Sequence, residues 1–545
     1  MDLMLAFVIA MIVTMALIPP LARAAGRLNV LDDPGARKVH SQPIPRVGGI
    51  AMVAGAVLPL CLWLPMDPTL LAYLLAVLVL LVFGAWDDRV NLGALTKFSG
   101  QLIAALIIIL VGHVSIDSIM LGERVALPHW LGFGLTLFFL LGITNAINLS
   151  DGLDGLAGGT ILLCCAALAL LGANWQVRFV ETIGIVLMGA ILGFLRFNTH
   201  PARIFMGDAG SQFLGFSAGV LSILLTKQAA TPLSTALPLL LIGLPVLDTL
   251  TVMVARLYAG RSPFSADRRH FHHRLLDLGF DHYEVVIVIY VVQCLLLLLA
   301  WQLRFENDLL IVASFIAFAV LFTGAFVFLE RVGWRWRAPG AGSQRSLLAR
   351  VRAWLRAKER FTRWSMRIMG LCVAVYLLGV ALYAQPITRD IGWLSAACLV
   401  PLLLGARGPR WVFADTWLVR GALYVAVIVA VYLDQGTSLH APLWQAVKFT
   451  FLPLLAICVV LGIRLSAQRR FEATPLDLLL IFGAIALPNL PGLAAAPSNY
   501  GLSAAKLVVL CYAVEMIAVI GSRLRTAFLG AAGVFYLLIA VRTFS

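Results

Sequence analysis

The 545 residues are 61% hydrophobic and 12% charged, with a mean hydropathy of +0.95, whereas soluble domains carry about a quarter charged residues. That balance excludes a soluble globular chain. The formal net charge of +14 falls between apolar runs, with no basic stripe interleaved with stacking aromatics, so it implies no nucleic-acid partner.

Apolar runs of about 17–25 residues, the length that crosses a hydrocarbon core of about 30 Å, recur along the chain and predict an all-α polytopic membrane protein. In chain order the spans fall at 3–21, 49–65, 69–85, 99–113, 130–147, 154–172, 180–195, 211–226, 234–255, 284–302 and 308–329, eleven in all. The first run has no basic residues before it, while Arg23, Arg27, Arg37 and Lys38 follow it, which reads as a retained helix entering from outside. The connections at 22–48, 86–98, 148–153, 196–210 and 256–283 hold fourteen Lys and Arg; the alternate set holds only Arg124, Arg178, Lys227 and Arg304. The first set is therefore expected on the cytoplasmic side. The eight cysteines show neither CxxC nor Cys/His metal spacing and read as small apolar side chains.

The chain divides by composition into 1–330, 331–367 and 368–545. The middle segment carries eleven Lys or Arg, with Leu347, Leu348, Val351, Trp354, Leu355, Phe361 and Trp364 at roughly helical spacing. It predicts a basic amphipathic helix on the anionic inner leaflet, with a solvated linker as the alternative. Residues 368–545 predict about seven further spans and contain no cluster of carboxylates or histidines.

The unusual polar clusters all fall in the cytoplasmic set: "RKVHSQPIPRVGG" (37–49), "WDDRVNLGALTKFSGQ" (86–101), "NAINLSDGLDGLAGG" (145–159), "RFNTHPARIFMGDAGSQFLG" (196–215) and "RSPFSADRRHFHHRLLDLGF" (261–280). The adjacent Asp87 and Asp88 repel one another unless a cation lies beside them. Mg²⁺ prefers one or two carboxylates plus substrate phosphates, or the pair divides into a metal ligand and a proton acceptor. Asp208, on the same expected face, adds weight to a metal. Asp151 and Asp154, three positions apart, share a face if helical. With Asn145 and Asn148 upstream they form a hydrogen-bonding wall for a polar ligand, or compensate a helix dipole. His270, His272 and His273, flanked by Arg268, Arg269 and Arg274, make a cationic cluster suited to phosphate oxygens or proton transfer; their spacing does not support zinc. Asp248 lies inside an apolar span, where an acid serves either a site or helix pairing.

These clusters, in this order, resemble the polyprenyl-phosphate N-acetylhexosamine-1-phosphate transferases, the family that includes WecA and MraY. The resemblance covers about residues 1–330 and rests on "DD", "NAINLSDGLDGLA", "FMGDAGS" and "HFHH". It implies a Mg²⁺-dependent enzyme, with Mn²⁺ as the alternative, at the bacterial inner membrane. Such an enzyme transfers N-acetylhexosamine-1-phosphate from a UDP-sugar to undecaprenyl phosphate, giving a lipid-linked sugar diphosphate and UMP in cell-envelope polysaccharide synthesis. By the same resemblance Asp87 is the carboxylate that deprotonates the lipid phosphate, with Asp88 beside it. Asp208 ligates Mg²⁺, with Asp88 as the second candidate, and Phe205 stacks on uracil. Asn148, Asp151 and Asp154 lie where the nucleoside binds, Lys97 near the phosphates, and the histidines at the diphosphate or sugar; Asn145 and Arg269 join the substrate-binding candidates from the residue reading above. "IPRVGG" and "HFHH" look like the WecA branch, making UDP-N-acetylglucosamine the first choice of donor; the muramoyl-pentapeptide transferases are the alternative. A homodimer is an open expectation. From another class, a flippase for a lipid-linked sugar is the rival, but transporters place charges along a pathway near the midplane and carry internal repeats, whereas here the acids gather on one face and 1–330 shows no convincing repeat.

Overall fold

The computed structural model describes residues 3–32, 43–229, 233–258, 260, 270–336, 359–385, 387–407, 417–436 and 522–544, with isolated residues between 454 and 517. Two compact units divide at Pro339 and Gly340. The first is built from α1 (Leu3–Leu28), α2 (Gly48–Trp63), α3 (Pro68–Val90), α4 (Ala94–Leu110), α5 (His129–Ser150), α6 (Leu156–Asn174), α7 (Arg178–Asn198), α8 (Gly207–Gln228), α9 (Pro238–Leu241), α10 (Gly243–Tyr258), a short α11 (Phe271–Asp277), α12 (His282–Leu303) and α13 (Asp308–Val332). A two-residue pair, β1 (Leu31–Asp32) with β2 (Ile44–Pro45), and a hairpin, β3 (Ser118–Leu121) with β4 (Glu123–Ala126), are both antiparallel. Long apolar helices in both units establish a multi-pass membrane protein.

Caps set where these helices begin. Asp67 accepts the Leu70 N–H ahead of Pro68 at the first helical position of α3; Asp281 and Glu284 form a capping box on α12. The expected span 234–255 is instead two pieces, α9 and α10, parted at Ile242. Pro245 has no N–H to offer the Leu241 carbonyl, which would close that helical turn. The Leu241 oxygen accepts from Gln293 Nε2 at 2.8 Å and from Cys164 Sγ at 3.0 Å instead, so the break is satisfied within the apolar layer. At the opposite end of the bundle, Asp308 accepts from the Met120 N–H, the Ala236 N–H and the Ser234 hydroxyl, pinning the β3–β4 hairpin to α13.

The core runs through α8, buried on every residue from Ala209 to Thr226. It is surrounded by α2, α3, α5 and α6. Association in lipid relies on close packing and small residues, and α8 supplies them: a Cβ on Gly49 of α2 would lie 2.2 Å from the Gly210 nitrogen, and one on Gly84 of α3 would lie 2.4 Å from the Ala209 Cα. Tyr73 and Ser217 hydroxyls, 2.8 Å apart, join α3 to α8 inside the bundle.

The second unit contains helices Glu359–Tyr383, Arg389–Arg407, Trp417–Gly436 and Ser522–Phe544 among its described residues. Most of the expected amphipathic segment, 337–358, lies outside the described residues. Its last part does not end before a new span at 368; residues 359–367 are continuous with the following helix.

Gly84→Leu is expected to force α3 away from the backbone of α8, costing at least about 1–3 kcal/mol through overpacking. Thermal unfolding of the detergent-purified protein, with Gly84→Ala as the milder member of the pair, measures the loss.

Candidate active site at the polar helix ends

Asp87 and Asp88 occupy the last turn of α3 rather than a loop. Hydropathy stops at the first charge, but helical hydrogen bonding continues to Asn91, whose left-handed conformation ends α3. Successive helical residues diverge in direction, and the two carboxylates have different partners. Asp88 reaches the N-terminus of α8, its oxygens accepting the N–H groups of Asp208 (2.9 Å) and Ala209 (3.2 Å), which is where a helix dipole stabilises an anion. Asp87, only 3% exposed, is ion-paired with Lys97 and accepts the Leu92 N–H.

Lys97, in the first turn of α4, also donates to Asp208 Oδ2 at 2.8 Å. Asp208 Oδ1 accepts from Asn148 Nδ2 at 2.9 Å, and Asn148 also donates to Ser211 at 2.8 Å. One ammonium thus lies between carboxylates 121 residues apart in sequence, and the polar ends of α3, α4, α5 and α8 meet at Asp208. Asn145 is one turn too far back to join them: it exchanges hydrogen bonds with Gln101 of α4.

Asp151 and Asp154 do not share a helical face. They sit in the non-helical connection between α5 and α6, which Gly155 closes at a positive φ of 78°. Asp154 turns to His200, whose Nδ1 lies 2.8 Å from Oδ2, and to the Ala202 N–H at 3.0 Å. Burial opposes its charge, but these hydrogen bonds outweigh it and hold the carboxyl below its usual range. Asp151 is pushed up to about 7, by burial first and then by repulsion from Asp208, Asp88 and Asp154. Both line a cleft of about 770 Å³, as do Asn148, Phe205 and Asp208. This volume is within the range of small-molecule sites. Phe205 is placed by its own backbone: its N–H donates to Pro45 O and its carbonyl accepts from Gly48, which ties the approach to α8 against β2 and α2.

The three histidine rings lie side by side, His270 and His272 with centroids 5.7 Å apart and His272 and His273 4.3 Å apart, but their surroundings differ. His270 Nδ1 lies 2.9 Å from Asp248 Oδ2, and Asp248 Oδ1 accepts the Phe271 N–H at 2.7 Å. The intramembrane acid therefore anchors the start of α11. His272 packs under the α5–α6 connection, where a Cβ on Gly152 would meet its Nε2 at 2.4 Å. Burial, with the neighbouring His273, His270 and His282, pushes His272 down to about 3, so it is neutral near pH 7. His273 lines the cleft. Arg269 lies outside the described residues.

Several cleft residues escape the motif reading. Arg46 is paired with Asp32, and both line the cleft with His200, Arg203 and His282. Arg46 and His200 stand inside the quoted clusters, where a basic residue beside a Pro or Gly turn is a signal; Asp32 and His282 stand outside them. Among the described residues, Asp151, Asp208 and Asp88 oppose one another electrostatically, with Lys97 and Arg46 as the nearby positive groups. That surplus of carboxylate oxygen is the donor set a hard divalent cation prefers.

The raised Asp151 carboxyl favours its neutral form in the fold. Its contribution to stability is complete below about pH 4 and is lost as pH rises through about 7. Without divalent cation, Asp151→Asn is therefore expected to unfold at a higher temperature than the parent at pH 8, the gap closing as pH falls towards 4. Paired thermal scans across this range check it.

The sequence model of glycosyl transferase family 4 matches residues 70–226, the stretch from α3 to α8 that carries Asp87, Lys97, Asn148, Asp151 and Asp208. The "Probable undecaprenyl-phosphate N-acetylglucosaminyl 1-phosphate transferase" of Bacillus subtilis is 36% identical over 294 residues, covering 53% of this chain and 82% of its own. The decaprenyl-phosphate N-acetylglucosaminephosphotransferase of Mycobacterium tuberculosis is 38% identical over 326 residues, covering 53% and 80%. The undecaprenyl-phosphate alpha-N-acetylglucosaminyl 1-phosphate transferase of Escherichia coli K12 is 30% identical over 283 residues, covering 50% and 76%. With matches of this extent, the chain belongs to glycosyl transferase family 4, among the polyprenyl-phosphate N-acetylhexosamine-1-phosphate transferases, and is a glycosyl-1-phosphate transferase.

Proposed function

We propose that this chain transfers N-acetylglucosamine-1-phosphate from UDP-N-acetylglucosamine to undecaprenyl phosphate, releasing UMP, as a first membrane step of cell-envelope polysaccharide synthesis in the bacterial inner membrane. The relatives' names supply the sugar and the lipid. The observation that carries the reading is the group of Asp87, Lys97, Asn148 and Asp208 at the polar ends of four apolar helices, beside the cleft. A lipid-borne anion and a water-soluble one can meet only at such an edge. The excess of Lys and Arg in this set of connections supports a cytoplasmic orientation.

Phosphoryl transfer needs alignment and charge neutralisation more than covalent chemistry from the protein. A lipid-phosphate oxygen attacks the sugar-bearing phosphorus of the donor; that P–O bond forms as the bond to the UMP oxygen breaks, and UMP leaves with the electron pair. Asp87 takes the proton of the lipid phosphate. Lys97 neutralises charge between the phosphates and keeps Asp87 oriented. The donor nucleotide lies along the cleft, with Phe205 as its stacking surface and Asn148 and Asp151 as polar contacts. The carboxylate surplus fits Mg²⁺, with Mn²⁺ as the alternative. Asp208 and Asp151 would hold the ion, which supplies neutralisation of the diphosphate when bound; Asp88, occupied at the N-terminus of α8, keeps Asp208 in place.

Membranes containing the protein are expected to release UMP from UDP-N-acetylglucosamine only when undecaprenyl phosphate and Mg²⁺ are both supplied. Asp208→Asn is expected to lower kcat by at least about 10²-fold without changing the elution profile of the purified protein. UMP release in the absence of lipid would instead identify a hydrolase.

A further inference from the structure

We propose that Asp154, His200 and His282 form a binding site for a divalent transition-metal ion of the Zn²⁺ class, in the wall of the cleft and separate from the carboxylates around Asp208. One ligand atom from each of the three residues lies within 4.8 Å of the other two. Asp154 Oδ2 and His200 Nδ1 are 2.8 Å apart, and the imidazoles of His200 and His282 face one another with centroids 4.3 Å apart. An independent observation comes from His282: its Nε2 is buried and has no hydrogen-bond partner among the described residues. A polar atom out of water without a partner is costly, and a lone pair so placed is what a metal ion accepts.

The donor chemistry selects the class of ion. Two imidazole nitrogens and one carboxylate oxygen suit Zn²⁺ and its first-row neighbours, whereas Mg²⁺ takes oxygen ligands. The donor atoms lie within 4.8 Å of one another, and reaching the roughly 2.0–2.2 Å of zinc–ligand bonds requires the stacked imidazoles to rotate towards the ion. Protons compete with the ion for the imidazole nitrogens, so affinity falls on acidification. Three protein ligands leave a position open, and all three residues line the cleft.

The site joins segments far apart in the chain. Asp154 belongs to the α5–α6 connection, His200 to the turn between α7 and α8, and His282 to the first residue of α12. The Ala202 N–H, donating to Asp154 at 3.0 Å, orients the carboxylate within that turn. A bound ion would cross-link the three segments and fix one wall of the cleft, without taking part in phosphoryl transfer at Asp208.

The test uses the full-length protein in detergent, freed of any histidine tag, with excess Mg²⁺ present to fill oxygen sites and Co²⁺ as the spectroscopic probe. One equivalent of Co²⁺ is expected to bind with visible d–d absorption and to be displaced by Zn²⁺. His200→Ala and His282→Ala are each expected to weaken binding by at least about 10-fold, while Asp208→Asn leaves the spectrum and affinity unchanged. His200 is 40% exposed, so its variant decides the matter if His282→Ala fails to fold. Absence of the absorption in the parent protein, equal binding by the His200 variant, or loss of binding in Asp208→Asn overturns the proposal. This readout is independent of transferase activity, so a failure of either reading leaves the other standing.

Discussion

The arrangement of the catalytic unit turns on one constraint: several carboxylates must be held close together at the edge of a hydrocarbon layer. Each would be costly alone. Lys97 meets part of the demand by lying between Asp87 and Asp208, and the N-terminus of α8 meets another part by giving two N–H groups to Asp88. What is left over among the described residues is mutual repulsion, with Asp208, Asp88 and Asp154 adding to burial in pushing the Asp151 carboxyl up to about 7. Repulsion of this kind suits a site whose ligands include a cation, which a purely structural network would not need. That repulsion is therefore the feature most closely tied to chemistry.

Bringing those groups together is a packing problem before it is an electrostatic one. Asp88 reaches the first amides of α8 only because Gly84, one turn earlier, lets α3 approach the Ala209 backbone. Gly49 does the same for α2, and its N–H donates to the Met206 carbonyl just before α8. The "FMGDAGS" stretch is thus read twice by the fold, once as small residues that admit neighbouring helices and once as the acid those helices surround. Substitution at the glycines and substitution at the acids should consequently disturb the same centre by different routes.

Much of this was legible in sequence because hydrophobic length is so direct a signal: the long apolar helices of the first unit and the polar groups around Asp87, Asp151 and Asp208 at their ends follow from it. The departures have particular causes. Hydropathy ended α3 before Asp87, although charged residues continue a helix when a neighbouring helix terminus and a lysine receive them. The i, i+3 spacing of Asp151 and Asp154 suggested a shared face, but Gly152 and Gly155 stand between and beside them and the chain there leaves helical geometry. The break at Ile242 was written in Pro245, yet its tolerance depends on Gln293, 52 residues beyond the Leu241 carbonyl it satisfies, which no local pattern reveals. His200 and His282 carry no motif spacing at all. Only the fold makes them neighbours.

The buried polar groups of the two units answer to the same physics in different ways. In the first, Asp248 lies within an apolar helix but is satisfied by His270 and the Phe271 amide. An intramembrane acid is thereby converted into a clamp on the histidine segment, and its cost returns as position. In the second, Asp434 accepts from Lys506 Nζ at 2.6 Å and from the Tyr376 hydroxyl at 3.2 Å, with both charged residues buried. A buried ion pair is weak as a source of stability, since desolvation offsets most of the attraction, but removing one partner alone is severe. Such a pair is better at enforcing one arrangement of helices than at strengthening it. Among the described residues, Asp434 therefore has its counter-charge in Lys506, whereas the acids around Asp208 outnumber theirs.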